Sequence, residues 1–175
     1  STTTFELTFF NEITTTGNGG AILSESSHAI TINKCRFRYC ICSVYGGGIY
    51  ISGGGQFRMN CSFFECCHCR GGDTQNGGRA FIGYDCSPIV SDIQIYRCWE
   101  NTKNTGDNSF TLKNGRMIVS RVNCTLCMFP NGGATTGALF SSTTDSVFGF
   151  IHADRCYEYD LIEAWKTAIT VTHMN

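Results

Sequence analysis

The chain has 175 residues, 13 basic and 14 acidic side chains for a net charge of -1, and 42% hydrophobic against 15% charged residues. That composition belongs to a folded chain, and the length suffices for one domain with a sizeable core. With no basic block, nucleic acid is not an expected partner. No apolar run approaches the roughly 20 residues that a membrane-spanning helix needs, so no membrane insertion by this segment is expected.

Two prolines, 20 glycines and many Thr, Asn and Ser residues predict short strands joined by turns. Thr2 to Phe10 alternates as the first strand, with Leu7, Phe9 and Glu12 opening a pattern that recurs along the chain. Gly19-Gly20-Ala21-Ile22 follows as a glycine cluster leading into a second strand. The next unit has Cys35, Phe37 and Cys40, then Gly47-Gly48-Ile49-Tyr50-Ile51. After it come Cys61, Phe63 and Cys66, then Gly77-Gly78-Arg79-Ala80-Phe81. Ile93, Ile95 and Cys98 precede Gly106 and Phe110; Val122, Cys124 and Cys127 precede Gly137 and Leu139; Ile151, Ala153 and Cys156 close the series. The closing cysteines step by 26, 32, 29 and 29 residues, and the anchors Ile22, Ile49, Phe81, Phe110 and Leu139 step by 27, 32, 29 and 29. Near the end, Asp160 to Ala168 is the best helix candidate, with Asp160 as cap and Glu163 completing a capping box; a further strand is the alternative. Ala168 to His173 alternates like one more strand.

A unit of 26 to 32 residues holding short strands and tight turns cannot bury its own apolar face. Parallel stacking solves this, because each strand pairs with its counterpart above and below, and like side chains form ladders. The expected fold is therefore all-β: residues 1–175 form one parallel β-helix, a solenoid of about six coils rising about 4.8 Å per rung.

Gly19-Gly20-Ala21-Ile22 and Phe57-Arg58-Met59-Asn60 resemble the GGA[ILV] and FxxN repeats of the polymorphic outer-membrane protein family. The rhythm of Cys35-x-Phe37-x-x-Cys40 followed by Gly46-Gly47-Gly48-Ile49-Tyr50-Ile51 is also similar to cysteine-rich surface proteins of parasitic protists. The resemblance implies a right-handed β-helix of the pectin-lyase-like type and an adhesive role at a cell surface. No autotransporter barrel accompanies the repeats.

Twelve cysteines in this length suggest an oxidising compartment if they pair. Cys66-Cys67-His68-Cys69, with Cys40 and Cys42 one coil before, invites a zinc reading. The columns supply another account, because Cys35, Cys61 and Cys124 stand where other coils carry Ile, Val, Phe or Ala. On that reading Cys35, Cys40, Cys61, Cys66, Cys98, Cys124, Cys127 and Cys156 form a structural core thiol ladder, no metal or other cofactor is expected, and Cys61→Val should be tolerated. Rung spacing permits bridges such as Cys35–Cys61, Cys40–Cys66 or Cys42–Cys69. A five-membered ladder leaves one thiol over, however, and stacked parallel side chains make the dihedral hard to reach. Cys86, before Ser87-Pro88, reads as an exposed loop thiol. Asn60-Cys61-Ser62 and Asn123-Cys124-Thr125 are N-glycosylation sequons with outward asparagines.

Parity gives the outward columns as Lys34, Asn60, Asp92, Arg121 and Phe150; Arg36, Ser62, Gln94, Asn123 and His152; and Arg38, Phe64, Tyr96, Thr125 and Asp154. Asp92 and Asp154 stand two rungs apart, about 10 Å, in different columns, which gives no acid–base pair. No histidine has a nucleophile partner at a recognisable motif, so no catalytic residue is assigned. The expectation is a non-catalytic structural or adhesive module, extracellular or at the cell surface, contacting protein or surface glycan. The alternatives are a self-associating filament or intracellular scaffold subunit, and a carbohydrate-active enzyme. Both end strands read as open edges, which suits an interior section of a longer solenoid or an end-to-end assembly.

Overall fold

The computed structural model describes residues 1–69, 78–98, 108–113, 115–127, 138–142, 145–156, 160–164 and 169–173. The first 69 residues form β1 (Thr2–Glu6), β2 (Phe9–Asn11), β3 (Ile22–Glu25), β4 (Ala29–Asn33), β5 (Arg36–Arg38), β6 (Ile41–Cys42), β7 (Ile49–Ser52), β8 (Gln56–Asn60), β9 (Phe63–Glu65) and β10 (His68–Cys69). Then follow β11 (Gly78–Tyr84), β12 (Ser87–Tyr96), β13 (Asn108–Lys113) and β14 (Ile118–Thr125). The last strands are β15 (Ala138–Ser142), β16 (Ser146–Asp154), β17 (Asp160–Ala164) and β18 (Ile169–Val171).

All strand pairs are parallel, and each strand pairs with its counterpart one coil away, so the chain is a parallel β-solenoid. One face runs β1-β4-β8-β12-β14-β16-β18, with β2, β5 and β9 continuing it around a corner. The opposite face runs β3-β7-β11-β13-β15-β17, and a two-stranded sheet joins β6 to β10. In the opposite face β7, β11, β13 and β15 are each paired on both sides. About four full turns thus stand between the end coils, slightly fewer than the six coils read from the repeat.

Two corners recur in every coil, each made by a residue in the left-handed region. Leu7, Lys34, Cys61, Asp92, Arg121 and Phe150 make the first corner; Glu12, Tyr39, Cys66, Arg97, Leu126 and Arg155 make the second. Such a conformation costs a non-glycine residue about 1–2 kcal/mol. Hydrogen bonding to the next coil offsets it, as when the Lys34 N–H donates to Asn60 O and the Tyr39 N–H to Glu65 O. Between the corners the chain alternates, and just past the second corner the next residue points inward.

The core is a set of side-chain ladders. Phe10, Phe37 and Phe64 stack with centroids 4.8 and 4.7 Å apart, while Phe57, Phe81 and Phe110 stack at 5.0 and 5.3 Å. A fully buried ring such as Phe37 contributes about 1.5–3 kcal/mol. The glycine cluster at the mouth of the opposite face has a local cause. A Cβ on Gly48 would lie 2.7 Å from Ala80 O and 2.9 Å from the Phe64 ring, and one on Gly20 would collide with Gly47 O.

Two local expectations are corrected here. Asp160–Ala164 is strand β17, in register with β15 (Phe140 opposite Ile162), and not a helix. Pairing with the neighbouring rung overrides the local capping signal; residues 165–168 of that candidate lie outside the described residues. Cys86 is buried, its thiol against Gly83 of β11 rather than in solvent.

Candidate functional site

The inward ladder just past the second corner is Ile13, Cys40, Cys67, Cys98, Cys127 and Cys156. This register follows from Phe37 opposite Phe64, Phe64 opposite Ile95, Ile95 opposite Cys124, and Cys124 opposite Ala153. The structure therefore corrects the sequence-derived columns in two coils. Cys66 and Cys61 are corner residues: Cys61 is exposed and Cys66 half-buried, while Cys67 and Ser62 take the inward places. Likewise Phe10 and Ile13, not Phe9 and Glu12, extend the ladders to the first coil, and Leu7 and Phe9 face solvent. A slip of one residue reverses every side chain of a strand. Cys35, Cys40, Cys98, Cys124 and Cys127 are buried, and Cys156 is half-buried.

The ladder thiols are engaged by backbone carbonyls. Cys67 donates to Phe37 O at 3.5 Å and Cys127 to Ile95 O at 3.7 Å, each reaching the preceding coil; Cys40 reaches Phe10 O at 3.6 Å. Burial, together with the thiols of Cys40 and Cys98, pushes Cys67 well above the ordinary range. At the last rung a hydrogen bond from Cys127 lowers Cys156 to about 7. Burial raises Cys86 to about 12. Among the described residues no three His, Cys, Asp or Glu side chains gather in a metal-binding group.

The outer face between the two corners carries two corrected columns: Phe9, Arg36, Phe63, Gln94, Asn123 and His152; and Asn11, Arg38, Glu65, Tyr96, Thr125 and Asp154. Phe63 and Glu65 thus replace Ser62 and Phe64, both buried, on this face. Arg36 lies between two rings, 5.6 Å from Phe9 and 5.1 Å from Phe63, and pairs with Glu65 at 2.6 Å. Arg38 reaches the same carboxylate at 3.3 Å and covers Tyr39. Arg36, Phe63, Glu65, Gln94, Ile95, Tyr96, Asn123 and Thr125 line an open hollow of about 300 Å³.

Asp92 and Asp154 near this face are held by arginine, as Glu65 is. Arg121 grips Asp92 through two hydrogen bonds of 2.6 and 2.7 Å and holds its carboxyl below the usual range, and Arg155 contacts Asp154. Asn60 and Asn123 are both exposed. Ser62 of the first sequon is buried and donates to Asn60 O at 2.9 Å. His152 is exposed, and His173 stacks on Phe150 at 4.4 Å. No helix among the described residues is long and apolar enough to cross a membrane. Comparison with protein-family models, with curated proteins and with solved structures finds no match for this chain.

Proposed function

We propose that this chain is a non-catalytic structural or adhesive module, extracellular or at a cell surface, that makes glycan or protein contacts through the outer face between its two corners. The observation that carries this reading is the hollow itself. Two aromatic rings, Phe63 and Tyr96, stand beside two amides, Gln94 and Asn123, over an arginine and a carboxylate that neutralise each other. Rings present flat apolar area, and amides supply both donors and acceptors, a combination suited to the faces and hydroxyls of a neutral sugar. With its charge satisfied, Glu65 is poorly placed to move a proton. The resemblance of the Gly19 and Phe57 repeats to the polymorphic outer-membrane proteins and to cysteine-rich protist surface proteins supports the same role.

A glycan array probed with the 175-residue chain tests this reading. Binding should fall about tenfold, roughly 1.4 kcal/mol, when Gln94→Ala or Asn123→Ala removes a hydrogen bond. Equal binding by wild type and both variants would remove the face from consideration, and turnover of an acidic polysaccharide would establish the enzyme alternative. For a chain secreted by a glycosylating cell, Asn60 and Asn123 are the candidate acceptors, which intact mass reads directly. Buried Ser62 requires any addition at Asn60 to precede folding of that corner.

A second reading, a self-associating filament or scaffold subunit, rests on the edges. Among the described residues β1 pairs only with β4, β3 only with β7, β18 only with β16, and β17 only with β15. Each edge presents backbone donors and acceptors to a further strand.

A further inference from the structure

Cys42 and Cys69 stand apart from the thiol ladder. They occupy the inward end of the two-stranded sheet, directly opposite each other in adjacent coils, with His68 opposite Ile41 beside them. Both are buried. The Cys42 thiol points at the Cys69 sulfur, 2.8 Å away. Adjacent parallel strands lie about 4.8 Å apart, within the Cα separation of about 4.4–6.8 Å that a disulfide spans. One rung below, the column continues with Thr15, next to Thr14 opposite Ile41, so the pair has no third cysteine on that side to compete for it. Among the described residues two residue pairs hold β6 to β10. Such a short sheet opens at low cost and admits a small reagent to both sulfurs.

We infer that Cys42 and Cys69 are a redox modification site, at which a disulfide staples two successive coils. The oxidant is a low-molecular-weight disulfide, RS–SR. The thiolate of one cysteine attacks a sulfur of RS–SR, forming a mixed disulfide and releasing RS⁻. The second cysteine, as thiolate, attacks the protein sulfur of that mixed disulfide, forms the Cys42–Cys69 bond and releases the second RS⁻. Two protons and two electrons leave the protein, and RS–SR becomes two RSH.

The test equilibrates the folded chain with oxidised glutathione, denatures it, caps every remaining thiol with N-ethylmaleimide, and digests it without reduction. The expected product is one cross-linked pair of peptides, lighter by two hydrogens than their sum, whose fragmentation places the link at Cys42 and Cys69. Cys40, Cys67, Cys98 and Cys127 should carry the cap. Cys40→Ala should keep the link and Cys42→Ala should lose it. Oxidation should raise Tm by roughly 5–10 °C in the wild type and leave Cys69→Ala unchanged. Capped Cys42 and Cys69 in the oxidised wild type, or a link from either to a ladder cysteine, would overturn the inference whether or not the variants fold.

Discussion

Cys61 shows how a single backbone angle changes what a residue tolerates. Its φ of 48° places it at the first corner, exposed, in the column of Leu7, Lys34, Asp92, Arg121 and Phe150. The apolar column inferred from spacing made Val a natural replacement, but a β-branched residue is an outlier at positive φ. Cys61→Val should therefore destabilise the fold by about 1–2 kcal/mol, and Cys61→Gly should stabilise it by up to about 1 kcal/mol. Urea midpoints of the two variants check the sign. Cys156 makes a second prediction at this scale. Its thiol is lowered from 9.0 to about 7 by the hydrogen bond from Cys127. Because the folded pKa is depressed, the stability it lends is complete above about pH 9 and is lost as pH falls through about 7. Maleimide should label native Cys156 with a rate that rises through pH 7, while buried Cys67 and Cys86 stay unlabelled; peptide mapping across a pH series reads both.

A strand in this fold is positioned by the coil below it, and the glycines show how little room that leaves. Gly48→Ala puts a methyl 2.7 Å from Ala80 O and against the Phe64 ring, and overpacking of this kind costs about 1–3 kcal/mol. Gly17→Ala meets nothing within 4 Å and should change the thermal midpoint little, so the pair separates close packing from loss of glycine as such. The same dependence on the neighbouring coil decides what the sequence reveals. Ile22, Ile49, Phe81 and Phe110 were legible as one column, and the structure pairs them in that order. Leu139 was one residue off, since Phe140 is the partner of Phe110. Around Phe63-Phe64 and Cys66-Cys67 the two parities carry the same residue types, so periodicity alone could not choose between them. The even step of 27 from Phe10 to Phe37 to Phe64 was the available signal, because stacked rings favour identical residues on successive rungs. The outer hollow was harder to foresee, since its shape depends on two left-handed corners that no glycine or asparagine announces.

At the scale of the whole molecule, the parallel stack decides what its ends can do. Ladders of Phe, Ile and Cys satisfy the interior, and each strand's backbone is satisfied by the coil on either side. Among the described residues β1 is paired on one side only, and Thr2, Thr3 and Thr4 are exposed. The far end offers β18, also paired on one side, with exposed Val171. The two edges are complementary in kind, because a parallel strand laid beside β18 would continue the same ladder that β1 begins. Association through them would be head to tail, and such an interface forms filaments when its rotation does not close a ring. The 175-residue chain should therefore grow in mass with concentration, with rods visible by negative-stain microscopy. Thr2→Lys with Thr4→Lys places charge on the edge strand without touching the core and should shift sedimentation back to the single chain. These changes lie far along the stack from Gln94 and Asn123, so glycan binding should survive them. A chain that stays monomeric at high concentration before any lysine is added would remove the filament reading and leave the outer face as the working surface.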